Sequence, residues 1–466
     1  MSQITVKDLT FSYEGSYDNI FENVSLTLDT DWRLGLTGRN GRGKTTFLRL
    51  LQGLHEYSGS ISCGVNFEYF PYVVDDMEQM TQDVVNGINP DFMHWELIRE
   101  LNLLSADEDV LFRPFSTLSS GERTKVLLAA MFLKETSFLL IDEPTDHLDL
   151  EARRIVSRYL SSKKGFILVS HDRAFLDNCI DHILSINRTG IELMKGNFTT
   201  WWNEKEMRDR TEAEDNERLK KEIGRLKDAA RRTSDWSDRV EKTKIGTRNS
   251  GSKPDKGYIG HKAAKMMKRS KSIEPRKNLA IEDKSRLFKD TERTCSLKIS
   301  QLDFHSGRLV SLEDISIFYG DRTILSGIGF EINKGDRIAL RGRNGSGKSS
   351  LLRLICGEDM GYTGTLWKGA GLRVSFVSQD TSRLSGSIRD YCVRKDIDEA
   401  LFRAILQKLG FDRVQFEKDI EDYSSGQKKK VLIAGSLCEK AHLHIWDEPL
   451  NFIDVFSRIQ IESPAA

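Results

Sequence analysis

The chain has 466 residues, 38% hydrophobic and 30% charged, which gives a length prior of about three domains with ample material for cores. No apolar run approaches the roughly 18 residues a membrane span needs, so a transport ATPase of this sequence would find its channel on another polypeptide. The formal net charge is zero, but it is segregated: twelve Lys/Arg against three Asp/Glu between Glu241 and Lys277 give that stretch +9 and leave −9 elsewhere.

The chain goes straight into Ile4-Thr5-Val6, so no signal peptide is expected, and Val24-Ser25-Leu26-Thr27-Leu28 predicts a second short strand. Apolar Leu34-Gly35-Leu36 leads into Gly38-Arg39-Asn40-Gly41-Arg42-Gly43-Lys44-Thr45, which fits G-x-x-x-x-G-K-[ST]. Such a loop turns N–H groups and a helix N-terminus onto phosphates; the lysine adds charge and the hydroxyl holds Mg²⁺. Its candidate contacts are Gly38, Asn40, Gly41, Gly43, Lys44, Thr45 and Thr46. Further on, Leu118-Ser119-Ser120-Gly121-Glu122 is a small-residue turn before a helical pattern. Ser119, Ser120 and Gly121 suit a γ-phosphate, although alone the turn is an ordinary helix cap. Phe138-Leu139-Leu140-Ile141 then predicts an apolar strand ending in two carboxylates. Asp142 suits the Mg²⁺ shell, and Glu143 suits orienting or deprotonating water.

From Asn203 to about Thr247 the chain is charged and almost free of Pro and Gly, with Leu219, Ile223 and Leu226 at helical spacing. A breaker-rich tip at 249–257 follows, then a basic helix-favouring run from His261 to Arg269 and charged sequence to about Asp290. This predicts two long helices folding back through the tip; a solvated linker is the alternative. Arg248, Lys253, Lys256, Lys262, Lys265, Lys268 and Arg269 match RNA phosphates electrostatically, and Tyr258 is placed to stack on a base. The six cysteines (63, 179, 295, 356, 392 and 438) are scattered without a C-x-x-C pair, as expected of reduced thiols in a cytosolic protein.

Beyond about residue 295 the first pattern returns. Ile338-Ala339-Leu340 precedes a second loop whose candidate contacts are Gly342, Asn344, Gly345, Gly347, Lys348, Ser349 and Ser350. Ser424, Ser425 and Gly426 repeat the small-residue turn, and Asp447-Glu448 repeats the carboxylate pair with Glu448 in the catalytic place. Lys44 to Gly121 spans 77 residues and Lys348 to Gly426 spans 78; Gly121 to Asp142 and Gly426 to Asp447 both span 21. An internal repeat of this period predicts two α/β P-loop domains, 1–202 and 295–466, joined by a basic helical-hairpin linker at 203–294, with nucleotide bound at two sites.

With both loops and carboxylate pairs in place, the Ser-Ser-Gly turns resemble the L-S-G-G-Q sequence of ABC ATPases. That resemblance implies head-to-tail pairing, each P-loop facing the other domain's turn, with ATP as the glue. By position, Tyr13 and Tyr319 match the adenine-stacking aromatic, Gln379 the Q-loop glutamine, and Thr45, Ser349, Gln379, Asp142 and Asp447 the Mg²⁺ ligands. His171 in Ser170-His171-Asp172 matches the switch histidine that contacts γ-phosphate. Two departures stand out. Tyr72 occupies the first Q-loop position, and the second switch histidine falls near position 476, beyond Ala466. The second domain is therefore expected to be C-terminally incomplete, through truncation, frameshift or a degenerate site.

Fused domains, a charged interdomain arm, Asp142-Glu143-Pro144-Thr145-Asp146-His147-Leu148-Asp149 and Gly196-Asn197-Phe198-Thr199-Thr200-Trp201 together resemble the ABC-F family, whose first motif reads D-E-P-T-N-H-L-D. This resemblance implies a soluble cytoplasmic ATPase, monomeric with intramolecular domain pairing. It would bind the ribosomal E site, with rRNA of the 50S subunit and E-site tRNA as partners, and reach towards the peptidyl-transferase centre. The short P-loop-to-turn interval, the long linker and the divergent 447–454 motif resemble the antibiotic-resistance branch of Lsa/Vga type. That branch dislodges lincosamides, pleuromutilins and streptogramin A. An ABC-F translation factor relieving stalled ribosomes is the alternative, followed by a transport-associated or DNA-maintenance ATPase.

Overall fold

The computed structural model describes residues 2–13, 19–134, 137–146, 148–187, 190–242, 297, 299, 301–320 and 322–462. The linker tip and its basic residues (Arg248, Lys253, Lys256, Tyr258, Lys262, Lys265, Lys268 and Arg269) lie outside the described residues. The chain divides into two compact units, Met1–Trp201 with Thr294–Ala466, and Trp202–Arg293. Both motif-bearing halves belong to the first unit.

In the first half the elements run β1 (Gln3–Phe11), β2 (Phe21–Asp29), β3 (Arg33–Thr37), α1 (Lys44–Leu51), β4 (Ser58–Ser62), β5 (Asn66–Phe70), α2 (Thr81–Ile88), α3 (His94–Leu103), α4 (Ser120–Phe132), β6 (Ser137–Asp142), α5 (Leu150–Ser161), β7 (Phe166–Val169), α6 (Arg173–Cys179), β8 (His182–Asn187) and β9 (Gly190–Lys195). An antiparallel sheet, β2-β1-β4, buries Ile4 and Val6, then Leu9 and Phe11, from β1, the alternation shifting by one residue at the irregularity around Asp8 (φ 51°). The larger sheet has the order β5-β6-β7-β3-β8-β9. Its central strands are buried along nearly their whole length, as parallel strands covered on both faces must be. Register places Leu36 opposite Val169 and Val169 opposite Asp142. Parallel pairing thus delivers the P-loop, the Ser170-His171 turn and the Asp142-Glu143 pair to one carboxyl edge, where open α/β sheets bind their ligands.

Helix α7 (Phe198–Lys242) is continuous over 45 residues and begins at Phe198, ahead of the Asn203 start expected from charge alone. Asn197 Oδ1 accepts from Thr200 N at 3.0 Å, and Phe198 and Trp201 are buried, so an apolar, capped first turn anchors the charged helix that follows.

The second half contributes β10 (Arg308–Tyr319), β11 (Arg322–Asn333), α8 (Lys348–Cys356), β12 (Gly361–Lys368), β13 (Val374–Val377), α9 (Ile388–Lys395), α10 (Glu399–Lys408), α11 (Ser425–Cys438), β14 (Leu443–Trp446) and α12 (Val455–Glu462). It repeats the antiparallel sheet as β11-β10-β12, but its parallel sheet has two strands, β13 and β14. The run Ile338-Ala339-Leu340, the counterpart of β3, forms no strand and is largely exposed. In the first half β3 is held between β7 and β8, and no strand among the described residues plays that part for 337–341. Apolar sequence alone does not make a strand without a ladder to join. Among the described residues no helix is long and apolar enough to cross a membrane, and Cys63, Cys179, Cys356, Cys392 and Cys438 are free thiols.

Candidate functional site

Each P-loop closes on a glycine that caps the following helix in the left-handed region: Gly43 at φ 89° and Gly347 at φ 84°. A Cβ on Gly43 would lie 2.6 Å from Ile20 Cγ2, so both backbone and space require glycine. Lys44 Nζ donates to Gly38 O at 2.8 Å and reaches Asn40 Oδ1 at 3.3 Å; Lys348 Nζ donates to Gly342 O at 2.9 Å and Arg343 O at 2.8 Å. Both ammonium groups thus fold over their own loops, in the place where phosphate oxygens would compete for them. Thr45 Oγ1 donates to Asp142 Oδ2 at 2.9 Å, joining the two expected metal ligands of the first half. Tyr13 stands half-exposed, its hydroxyl 2.9 Å from Thr46 Oγ1, while Tyr319 is exposed at the end of β10.

The small-residue turns are both capping boxes. Ser119 Oγ accepts from Glu122 N at 3.2 Å while Glu122 accepts from Ser119 N at 2.8 Å, and Ser424 and Gln427 repeat this at 3.3 and 3.0 Å. Ser120 and Gly121, like Ser425 and Gly426, therefore open the first turns of α4 and α11.

The two turns differ in what they face. Asn40 Nδ2 of the first P-loop donates to Phe452 O at 3.2 Å, and a Cβ on Gly426 would come within 2.8 Å of Asn40 Nδ2 and 2.3 Å of Phe452 O. The second half's turn is thus set against the first half's P-loop. A Cβ on Gly121 would meet only Leu148 Cδ2, at 3.6 Å. Around the same junction the Arg39 guanidinium lies 5.7 Å from the Phe456 ring centroid, Arg343 pairs with Glu151 at 3.3 Å, and Arg173 pairs with Glu462. Gly342, Asn344 and Gly345 of the second P-loop are exposed, and Gly347 to Ser350 half-buried.

Glu143 and Glu448 share an unusual backbone, at φ 49° and 45°. A left-handed conformation at a non-glycine residue is held only when its surroundings demand it, and it occurs here at both candidate catalytic carboxylates. Burial, with the neighbouring Asp146 and Asp142 carboxylates, pushes Glu143 up to about 8. His171 N donates to Glu143 Oε2 at 3.2 Å, whereas Oε1 is buried without a hydrogen-bond partner, 3.3 Å from His171 Nε2. Burial and then the Lys44 charge keep the His171 imidazole well below its ordinary pKa and hence neutral. An uncommitted carboxylate oxygen beside a neutral imidazole is the arrangement a water-activating site needs.

Sequence reasoning missed several participants. Tyr69, on β5, donates its hydroxyl to Asp142 Oδ2 at 2.8 Å, while Tyr72, the residue in the Q-loop place, is half-exposed and makes no hydrogen bond among the described residues. In the second half Gln379 Nε2 donates to Glu448 Oε2 at 2.8 Å and Asn451 Nδ2 to the same oxygen at 2.7 Å. Asn451 was legible as the asparagine that Asp146 replaces. Tyr69 carried no signal, because its reach to Asp142 depends on the β5–β6 register.

The ABC transporter family matches this chain twice, at residues 21–146 and 325–451. The chain belongs to the ABC transporter family. Each match contains one P-loop, one capping-box turn and one Asp-Glu pair, so this ABC chain is an ATPase with its domains in tandem. Similarity to curated ABC proteins runs nearly end to end. The ribosome protection protein VmlR of Bacillus subtilis is 26% identical, covering 97% of this chain and 80% of its own length. The energy-dependent translational throttle protein EttA of Escherichia coli is 26% identical over 94% and 82% respectively. These relatives bear out the ABC-F resemblance. Among solved structures, archaeal ABCE1 in complex with the ribosomal stalk protein aP1 matches at TM-score 0.61 and 18% identity, covering 97% of this chain and 80% of that one. Ribosome-bound archaeal ABCE1 with Pelota matches at 0.60 and 20%, over 97% and 70%. At those identities the likeness is one of fold.

Proposed function

We propose that this chain is a cytoplasmic ABC-F ATPase that binds the ribosome at the E site and displaces drugs from the peptidyl-transferase centre. The observation that carries it is the composite first site: the Lys44 P-loop of one half meets the Gly426 turn of the other within a single chain. Nucleotide between them would draw the halves together, and hydrolysis would release them. Residues 1–202 and 295–466 serve as the ATPase domains, and 203–294 as the basic linker that meets rRNA. In this reading Glu143 activates water, His171 steadies the γ-phosphate, and Ser424, Ser425 and Gly426 complete the phosphate cradle from across the junction. Tyr13 stacks on adenine. Thr45 and Asp142, hard oxygen donors already 2.9 Å apart, fit Mg²⁺, which when bound would neutralise developing phosphate charge; Ser349, Asp447 and Gln379 are their counterparts.

The end-to-end similarity to a ribosome protection protein supports the protective role, and the resemblance to the Lsa/Vga branch proposes lincosamides, pleuromutilins and streptogramin A as the displaced drugs. Drug tolerance of a host with and without the gene tests this, and an unchanged tolerance rejects it. The equal similarity to a translational throttle protein favours a second reading, relief of stalled ribosomes, for which growth would change without drug.

A further inference from the structure

The side chain of Lys429 is almost fully buried, yet among the described residues it faces no carboxylate at hydrogen-bond distance. Its Nζ donates to Ser378 O at 2.9 Å and to Asp447 O at 3.0 Å. These carbonyls belong to the peptide units that lead directly into Gln379 and Glu448, whose side chains meet at 2.8 Å. A buried ammonium is retained only where its donors are satisfied, and here two of them lock the backbones carrying a catalytic carboxylate and its amide partner. The Asp447–Glu448 unit is also the one preceding the φ 45° residue, so its orientation needs an external hold. Lys429 sits on α11, five residues beyond Ser424, on the same helix whose first turn faces the first P-loop. The corresponding residue of α4 is Thr124, so the first half has no such tie.

We propose that Lys429 is a positioning residue: it fixes Gln379 and Glu448 of the second site and links them, through α11, to the turn that closes the first. This rests on reading Glu448 as a catalytic base. ATP turnover of the full chain is the test, using E448Q, Lys429→Met and the double variant, with Lys429→Arg as the conservative change. If Lys429 acts through Glu448, Lys429→Met lowers kcat about fivefold with KM within about twofold. The double variant is then no slower than E448Q, and Lys429→Arg recovers most of the loss. Lys163→Met, which disturbs the buried Glu100 cluster away from both sites, controls for lost stability and leaves kcat unchanged. If Lys429→Met does not fold, Lys429→Gln takes its place in the cycle. Normal turnover in E448Q overturns the reading of Glu448 and the proposal with it. A slowed E448Q beside normal Lys429→Met, or a double variant slower than E448Q by the full Lys429→Met factor, overturns the role of Lys429 alone.

Discussion

The two halves carry the same motifs at the same spacings, yet their chemistry has diverged. The first half holds Glu143 among carboxylates, pushed up to about 8, with one oxygen uncommitted. The second holds Glu448 between two amides, Gln379 and Asn451. The first P-loop is backed by β3 between β7 and β8 and covered by the opposite turn; the second follows an unpaired, largely exposed run. Equal motifs therefore do not make equal sites. What differs is whether neighbouring strands and the opposing half complete each one.

The largest expected break in this comparison is Glu143→Gln against Glu448→Gln. Removing the first base should lower turnover about 100-fold or more and hold the protein on ribosomes in ATP, while the second loss should be nearer tenfold. Equal retention of wild type and Glu143→Gln on ribosomes contradicts it. Next comes a pair of lysines at matching helix positions. Lys430 lies buried 2.6 Å from Asp454, and Lys125 is more exposed, donating to Ser105 O at 3.1 Å. Burial opposes ionisation of Asp454, but Lys430 outweighs it and holds the carboxyl well below its usual range. Lys430→Met strands a buried charge and should cost about 3–5 kcal/mol in denaturant unfolding, against about 1 kcal/mol or less for Lys125→Met.

Gly426→Ala and Gly121→Ala sharpen the contrast in the turns. The first pushes a methyl against Phe452 O and Asn40 and should weaken ATP binding roughly ten- to a hundredfold, equivalent to about 1–3 kcal/mol. The second has room, and should shift a fluorescent-nucleotide titration within about twofold. The smallest effect concerns pH. A base must be ionised to act, so kcat/KM for the first site should rise with pH through about 8. Asp146→Asn removes a negative neighbour that favours the protonated form, so it should move that limb to lower pH. A limb that stays in place would detach Asp146 from Glu143.

Much of the fold was legible because its signals are local. Gly43 and Gly347 are required by backbone geometry, Ser119 and Ser424 by capping, and the apolar run into Asp142 by burial on both faces. Helix α7 was legible in kind but not in its start, since Phe198 and Trp201 belong to an apolar anchor that charge counting overlooks. The apolar run Ile338-Ala339-Leu340 forms no strand although its counterpart Leu34-Gly35-Leu36 lies in β3, because a strand is a property of its ladder rather than of its residues. Tyr69 and Lys429 escaped notice, since their partners lie 73 residues away and, for Lys429, 51 and 18 residues away.

The sequence by itself determined that there are two P-loops, two small-residue turns before helices, two carboxylate pairs and a basic segment between them, because each depends on residue type and short spacing. Only the tertiary structure decided which turn meets which loop, which glutamate keeps a free oxygen, and where the buried lysines point. Those outcomes depend on packing between segments from about twenty to several hundred residues apart, where small differences in burial and partner set the electrostatics.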